Sequence, residues 1–331
     1  MKNPSSFWRG AMGLRIGCVA LLGLLAIPSV QAAGTDVYGP LGSDAFGTEV
    51  QVLPNGNFVV TDPGWNGDRG RVALYDRQGN AISALSGGEV GDEVGSGGVV
   101  VLANGNYVVV SPRWGTPPGA HELRVENVGA VTWVNGDTGL DGLVSTQNSL
   151  HGSQQDDEVG YHGVVVLSNG NYVVVSPYWN NGGVVSAGAV TWANGSTGIV
   201  GAVSTENSLH GSQVGDRIGD SGGLVGVTTL TNGNYVVVSP VWDNADVTNA
   251  GAVTWGNGMT GITGAVSTAN SLSGSSANDL VGYGGVTPLS NGNYVVNSFY
   301  WDNGSVSSAG AVTWGNGATG IAGVVSTANS L

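Results

Sequence analysis

The chain has 331 residues, 59 of them glycine, and only 10% are charged. Nine Lys and Arg face 23 Asp and Glu, a net charge of −14 that argues against a nucleic-acid binder, since such proteins neutralise phosphates with clustered basic side chains. A hydrophobic fraction of 41% argues against disorder, and glycine without an every-third-residue period excludes collagen, which leaves a turn-rich all-β protein long enough to build a core.

At the N-terminus, Lys2, Arg9 and Arg15 precede the apolar run Ile16 to Ile27, and Val30-Gln31-Ala32 follows with small residues at the cleavage positions. This is the layout of an export signal, 1–32, with cleavage expected near Ala32. The run is shorter than the roughly 20 residues a membrane helix needs, so no transmembrane span is expected once the signal is gone. Residues 33–331 are expected outside the cytoplasm: secreted, on a bacterial cell surface, or in the periplasm. Cys18 and Lys2 leave with the signal, and six arginines then face 23 acids, a net charge of −17. Thiol nucleophiles, disulfides, cysteine metal sites, Schiff-base lysines and the P-loop lysine are excluded in that part.

Repetition organises everything after the signal. Asn-Gly-Asn plus an aromatic recurs at Phe58, Tyr107, Tyr172, Tyr235 and Tyr294, in steps of 49, 65, 63 and 59 residues. Val-Thr-Trp recurs at Trp133, Trp192, Trp255 and Trp314, in steps of 59, 63 and 59. The repeat domain, 33–331, divides into units at about 33–92, 93–157, 158–216, 217–279 and 280–331. Insertions lie at 116–122 and around Asp220 to Val225. Within a unit, Gly163 to Leu167 and Tyr172 to Ser176 flank an Asn-Gly turn and predict a β-hairpin. A third strand is expected at Ala187 to Trp192 and a fourth at Gly201 to Thr205. The Tyr-Val-Val-Val run of the second strand is apolar without alternation, the mark of a strand covered on both faces. Sheets stacked around an axis cover both faces. The expected fold is therefore an all-β β-propeller of about five four-stranded antiparallel blades, as a complete or incomplete ring, with a β-solenoid as the alternative.

The first unit reads Asp44-Ala45-Phe46-Gly47-Thr48-Glu49-Val50, then a hairpin ending at Asp62-Pro63, then Gly70-Arg71-Val72-Ala73-Leu74-Tyr75. This order resembles the FG-GAP repeat of integrin-α-type propellers. Later units keep the frame with other letters, as in Val159-Gly160 and Val175-Ser176-Pro177, and are similar to repeats of large secreted, haemagglutinin-like bacterial proteins. The resemblance implies a propeller with a binding or adhesion role. Integrin-type repeats often hold calcium on an Asp-rich hairpin loop. Here that loop is Asn-Gly-Asn, so neither calcium nor any other cofactor is carried over.

Candidate chemistry is sparse. Gly219-Asp220-Ser221-Gly222-Gly223 spells a serine-protease nucleophile motif, but the candidate partners, His210 and Asp216, lie in a repeat loop, so the motif reads as repeat lettering. His151 and His210 share one repeat position with Ser273, which suggests a solvated turn and no zinc site. Two tryptophans recur per full unit. The set ending strand three is expected to pack between blades. The corner set, Trp114, Trp179, Trp242 and Trp301, with Asp243 and Asp302 beside two of them, is the candidate ligand-binding set, as aromatic platforms for sugar. Asp44, Asp92, Asp157, Asp216 and Asp279 precede the strand-one glycine and are expected to cap turns. Asp156-Asp157-Glu158 and Asp243 with Asp246 are weak cation candidates, since calcium needs six or more oxygens.

These features imply a non-catalytic binding or adhesion module with an extracellular protein or a glycan as partner. Carbohydrate binding through the corner tryptophans is the first alternative, and a propeller hydrolase the second. For closure, two outcomes are expected: a tight five-blade ring without strand exchange, or a truncated chain whose remaining blades are missing and whose terminal blade exposes valines meant for a neighbour.

Overall fold

A computed structural model describes residues 36–117 and 123–331. The expected export signal and most of the 116–122 insertion lie outside the described residues. The rest is built from five mainly antiparallel sheets, one per unit, in a propeller-like arrangement.

Unit 3 shows the pattern. Val164–Val166 pairs with Tyr172–Ser176 across the Asn-Gly turn, and Tyr172–Ser176 pairs with Ala189–Ala193. The turn forms because Gly170 takes φ 88° and the Asn169 side chain accepts the Asn171 backbone N–H at 3.0 Å, a conformation that suits glycine and asparagine. Units 1, 2, 4 and 5 repeat these three strands.

The fourth strand is not where the sequence placed it. Ser208–His210, rather than Gly201 to Thr205, pairs antiparallel with the third strand of unit 3. Gly201–Ala202 instead runs parallel to Leu150–His151, at the outer edge of unit 2. The same crossing joins Gly142–Leu143 to unit 1, Gly264–Ala265 to unit 3 and Gly323–Val324 to unit 4. Units 2 to 5 therefore each lend a two-residue strand to the one before and then return home. This exchange pairs the sheet edge that would otherwise present unpaired N–H and C=O groups.

The second strands are buried over their whole length in units 2, 3 and 4. Tyr172 and Val174 pack into the core shared with unit 2, whereas Val173 and Val175 pack into the core shared with unit 4. Successive strand residues point to opposite faces, so a sheet sandwiched on both sides needs apolar residues at every position. Four such cores join units 1 to 2, 2 to 3, 3 to 4 and 4 to 5. The other face of unit 1 is covered by Val37 and Phe46, packed against Val60, Ala73 and Tyr75. On the corresponding far face of unit 5, Val312 is 42% and Trp314 51% exposed, where Val190 and Val253 are at 0%. Units 1 and 5 do not cover one another, so the tight five-blade ring without strand exchange is corrected to an unclosed, propeller-like array with strand exchange among the described residues. Among the described residues, no helix is long and apolar enough to cross a membrane.

The strand-two tyrosines carry a pH consequence. Burial pushes the hydroxyls of Tyr107, Tyr172 and Tyr235 well above the usual phenol range, and that of Tyr294 up to about 12. A phenol that holds its proton more tightly folded than unfolded contributes stability that is complete below pH about 10 and is lost as pH rises towards the folded value. The melting temperature should therefore fall steeply between pH 10 and 12. In an absorbance titration of phenolate, these four tyrosines should ionise only as the fold opens. Reversible ionisation of every tyrosine near pH 10 in folded protein would refute this burial.

Candidate functional site

The recurrent aspartates hold the corners together. Asp157 is fully buried. Its Oδ2 accepts the backbone N–H groups of Ser153 and Gln154, both at 2.8 Å, and its Oδ1 accepts that of Asn180 at 2.9 Å. Asp216 does the same for Ser212, Gln213 and Asp243, and Asp279 for Ser275, Ser276 and Asp302. In unit 1, Asp92 accepts from Gly88, Glu89 and Gly115 and takes the Arg124 guanidinium at 2.6 Å. Burial pushes the Asp157 and Asp216 carboxyls above the ordinary aspartate range, and the facing N–H groups offset this only in part. The expected turn-capping role is realised, and it extends across the unit boundary to the next corner. Asp44 is exposed and does not belong to this set.

The corner tryptophans are core residues. Trp114, Trp179, Trp242 and Trp301 are between 1% and 6% exposed and sit inside the four inter-unit cores. A sugar platform needs an open ring face, so their expected ligand-binding role is corrected. Asp243 and Asp302 brace the corner loops beside them, accepting the backbone N–H groups of Asn249 at 2.6 Å and Ser308 at 2.7 Å. His210 is likewise no solvated turn residue. It lies buried in the fourth strand, edge-on to Trp179 at 6.3 Å, and its Nδ1–H donates to the Gly211 carbonyl at 2.8 Å.

Of the strand-three tryptophans, Trp133, Trp192 and Trp255 are half-buried and join neighbouring units through a hydrogen bond. The Gly258 carbonyl of unit 4 accepts three side-chain N–H groups of unit 3: Asn169 Nδ2 at 2.7 Å, Asn171 Nδ2 at 2.9 Å and Trp192 Nε1 at 3.0 Å. The Gly317 carbonyl accepts Asn232, Asn234 and Trp255 in the same way. A Cβ on Gly258 would collide with the Gly233 carbonyl, so only glycine fits there. The Asn-Gly-Asn loop thus serves as an inter-unit lock.

The serine motif gains a different histidine. His162 Nε2, from unit 3, lies 3.4 Å from Asp220 Oδ1, while His210 is held in its strand. Asp220 also accepts the Gly223 backbone N–H at 2.6 Å, which folds the insertion into a turn.

What remains open is an aromatic edge that the sequence reading missed. In unit 5, Tyr283, Phe299 and Tyr300 are each 39–43% exposed, with ring centroids 4.5 to 5.8 Å apart. In unit 3, Tyr161 stands edge-on to Tyr178 at 4.7 Å. Tyr161 and Tyr283 share one repeat position, and Tyr178 and Tyr300 another; units 2 and 4 hold Ser96 with Arg113 and Asp220 with Val241 there. Tyr178 also lines a cavity of about 530 Å³, together with Gln154, Gln155, Asp156, Glu158 and Asn180. The Arg217 guanidinium lies 5.7 Å from its ring. Burial pushes the Glu158 carboxyl up, with a further push from Asp156. An aromatic wall facing amides and carboxylates offers apolar contact and hydrogen bonds together. The available signal was a tyrosine set in a glycine-rich loop, where no sheet covers it.

The fold and site define a tandem β-repeat protein. The sequence profile described as "Repeat of unknown function (DUF5650)" matches residues 52–89, 101–161, 166–220, 229–283 and 288–331, more than half of the chain. The chain belongs to that family. No curated protein matches it. Among solved structures it is similar to a protein of unknown function from Bacteroides caccae, at 13% identity and a TM-score of 0.32, over 76% of this chain and 69% of that one.

Proposed function

We propose that this is a non-catalytic extracellular binding module that takes carbohydrate on the aromatic edge of units 3 and 5. The observation that carries the reading is Tyr178, set in the wall of a cavity otherwise lined by amides and carboxylates. Sugar rings stack their C–H faces on aromatics while their hydroxyls pair with such groups. The exposed triad of unit 5 supplies a second platform in the same repeat frame. The first unit's resemblance to FG-GAP repeats supports a binding role and, as a second reading, adhesion to a protein. The export signal expected at 1–32 supports action outside the cytoplasm.

A glycan array with isothermal titration tests this. Wild-type protein should bind a glycan, and Tyr178→Ala and Tyr300→Ala should weaken binding tenfold or more, about 1.4 kcal/mol, with unchanged melting temperature. Binding only to matrix proteins, unaffected by either change, would favour adhesion instead. Turnover of a bound glycan that stops in Glu158→Gln would make the site hydrolytic.

A further inference from the structure

We infer that the seams between units form a second, repeated set of ligand sites, each taking one neutral sugar residue with an apolar end, a 6-deoxyhexose in class. A cleft of about 350 Å³ lies at the seam of units 2 and 3, with Trp133, Leu140, Asn148, Thr197, Ile199 and Val200 in its lining. Another, of about 240 Å³, lies at the seam of units 4 and 5, where Trp255, Ile262, Asn270, Thr319, Ile321 and Ala322 occupy the same repeat positions. Two clefts built from one set of positions are a property of the repeat. At the seam of units 3 and 4 these positions hold Trp192, Ile199, Asn207, Thr260, Ile262 and Thr263. The first unit has Leu74 at the register position of the ring, so three such sites are expected.

The lining sorts by depth. Trp133 is half-buried, and its Nε1–H is already donated to the Gly195 carbonyl at 3.0 Å, so the indole offers the cleft apolar surface. Leu140 and Ile199 are also half-buried, whereas Thr138 and Thr197 are exposed at the mouth. The Thr197 hydroxyl has only a 3.5 Å contact with the Gly198 carbonyl. Asn135, also in the lining, uses its Oδ1 to accept the Asp137 and Thr138 backbone N–H groups, and its Nδ2 has no partner among the described residues. The following unit shapes the cleft with glycine: Gly198 lies against Trp133 and Gly320 against Trp255, and a Cβ on either would strike the tryptophan side chain.

Indole and aliphatic surface within, with a hydroxyl and an amide at the mouth, suits a ring that carries a methyl group at one end and hydroxyls at the other. No charged side chain lines either cleft, in a chain whose net charge is −14, which selects a neutral ligand. Identical sites recognise identical units. A glycan presents such units repeatedly and a peptide of irregular sequence does not, which favours sugar over a leucine or phenylalanine side chain as the occupant. These clefts share no residue with the aromatic edge of units 3 and 5.

Titration of tryptophan fluorescence with methyl α-L-rhamnopyranoside and methyl α-L-fucopyranoside tests the sites. The matching α-L-mannoside and α-L-galactoside, which add only the C6 hydroxyl, serve as the comparison. At least one deoxyhexoside should bind about tenfold more tightly than its parent. Val200→Phe and Ala322→Phe each fill one cleft from an exposed position. Each should remove about a third of the fluorescence change at unchanged melting temperature, while Tyr178→Ala leaves the change intact. If one variant fails to fold, the other still reports. No saturable change with either deoxyhexoside overturns the seam sites, and so does equal affinity for the parent sugars. Displacement by N-acetyl-leucinamide at a lower concentration than the sugar would make the clefts side-chain pockets and also overturn them. A change that is lost in Tyr178→Ala but kept in both Phe variants places the sugar at the aromatic edge, which overturns the seam sites and leaves the edge reading standing.

Discussion

Trp179→Ala should lower the unfolding free energy by about 3–5 kcal/mol, the usual cost of deleting a buried aromatic ring. The ring is 4% exposed and belongs to the core joining units 2 and 3, so its loss opens a cavity at a contact that stabilises both sheets. The comparison is Trp192→Phe, at a half-buried position where the main loss is one hydrogen bond to Gly258, worth about 1 kcal/mol. Urea titration followed by circular dichroism measures both. The ordering is the reverse of the one the sequence suggests, which placed the buried ring at strand three and the open ring at the corner. Equal losses, or a larger loss at Trp192, would contradict the packing described above. The same result bears on function, because a ligand-binding defect in Trp179→Ala would report unfolding, whereas one in Tyr178→Ala would report the site.

Asp216→Ala should be comparably severe, roughly 3–5 kcal/mol. The substitution leaves the N–H groups of Ser212, Gln213 and Asp243 facing a space without an acceptor, and each buried donor left unpaired costs about 1–3 kcal/mol, less where water enters. Those donors belong to two loops whose other side-chain tie is the Gln213 amide, donating to the Asp243 and Ala245 carbonyls at their rim, so the corner between units 3 and 4 should open first. Hydrogen exchange should show this as faster exchange at 212–216 and 243–249, ahead of the strands of unit 3. An unchanged exchange pattern with a small stability loss would mean that water substitutes for the carboxylate. Asp216→Asn should recover only part of the loss, because its amide turns a donor towards one of the two donor sets.

Much of this architecture is legible residue by residue. The Asn-Gly turns, the third strand ending in Trp and the doubly covered Tyr-Val-Val-Val strand follow from local rules: glycine at positive φ, β-branched residues in strands, and an unbroken apolar run where both faces are buried. The fourth strand was misplaced because Gly201–Ala202 and Ser208–His210 are both short and both compatible with an edge. Which sheet each joins depends on where the preceding unit's edge lies, and that is a tertiary fact. The buried His210 was misread because its polarity suggested solvent, whereas the ring packs against Trp179 and its Nδ1–H is satisfied by the adjacent carbonyl.

The candidate site shows the same division. The sequence alone determined that five β-units recur, that the second strands of the middle units are buried on both faces, and that the repeat region has no cysteine or lysine but many carboxylates. Only the tertiary structure decided which aromatic rings are open. A tryptophan at a corner and a tyrosine in a glycine-rich loop look equally available in one dimension. Their exposure depends on whether a neighbouring sheet lies over them: Trp179 is covered between units 2 and 3, while Tyr161 and Tyr283 stand at the edge that no sheet reaches. Identical repeats acquire different surfaces for the same reason, since Val253 and Val312 occupy one repeat position and, among the described residues, only the first is covered by a neighbouring sheet.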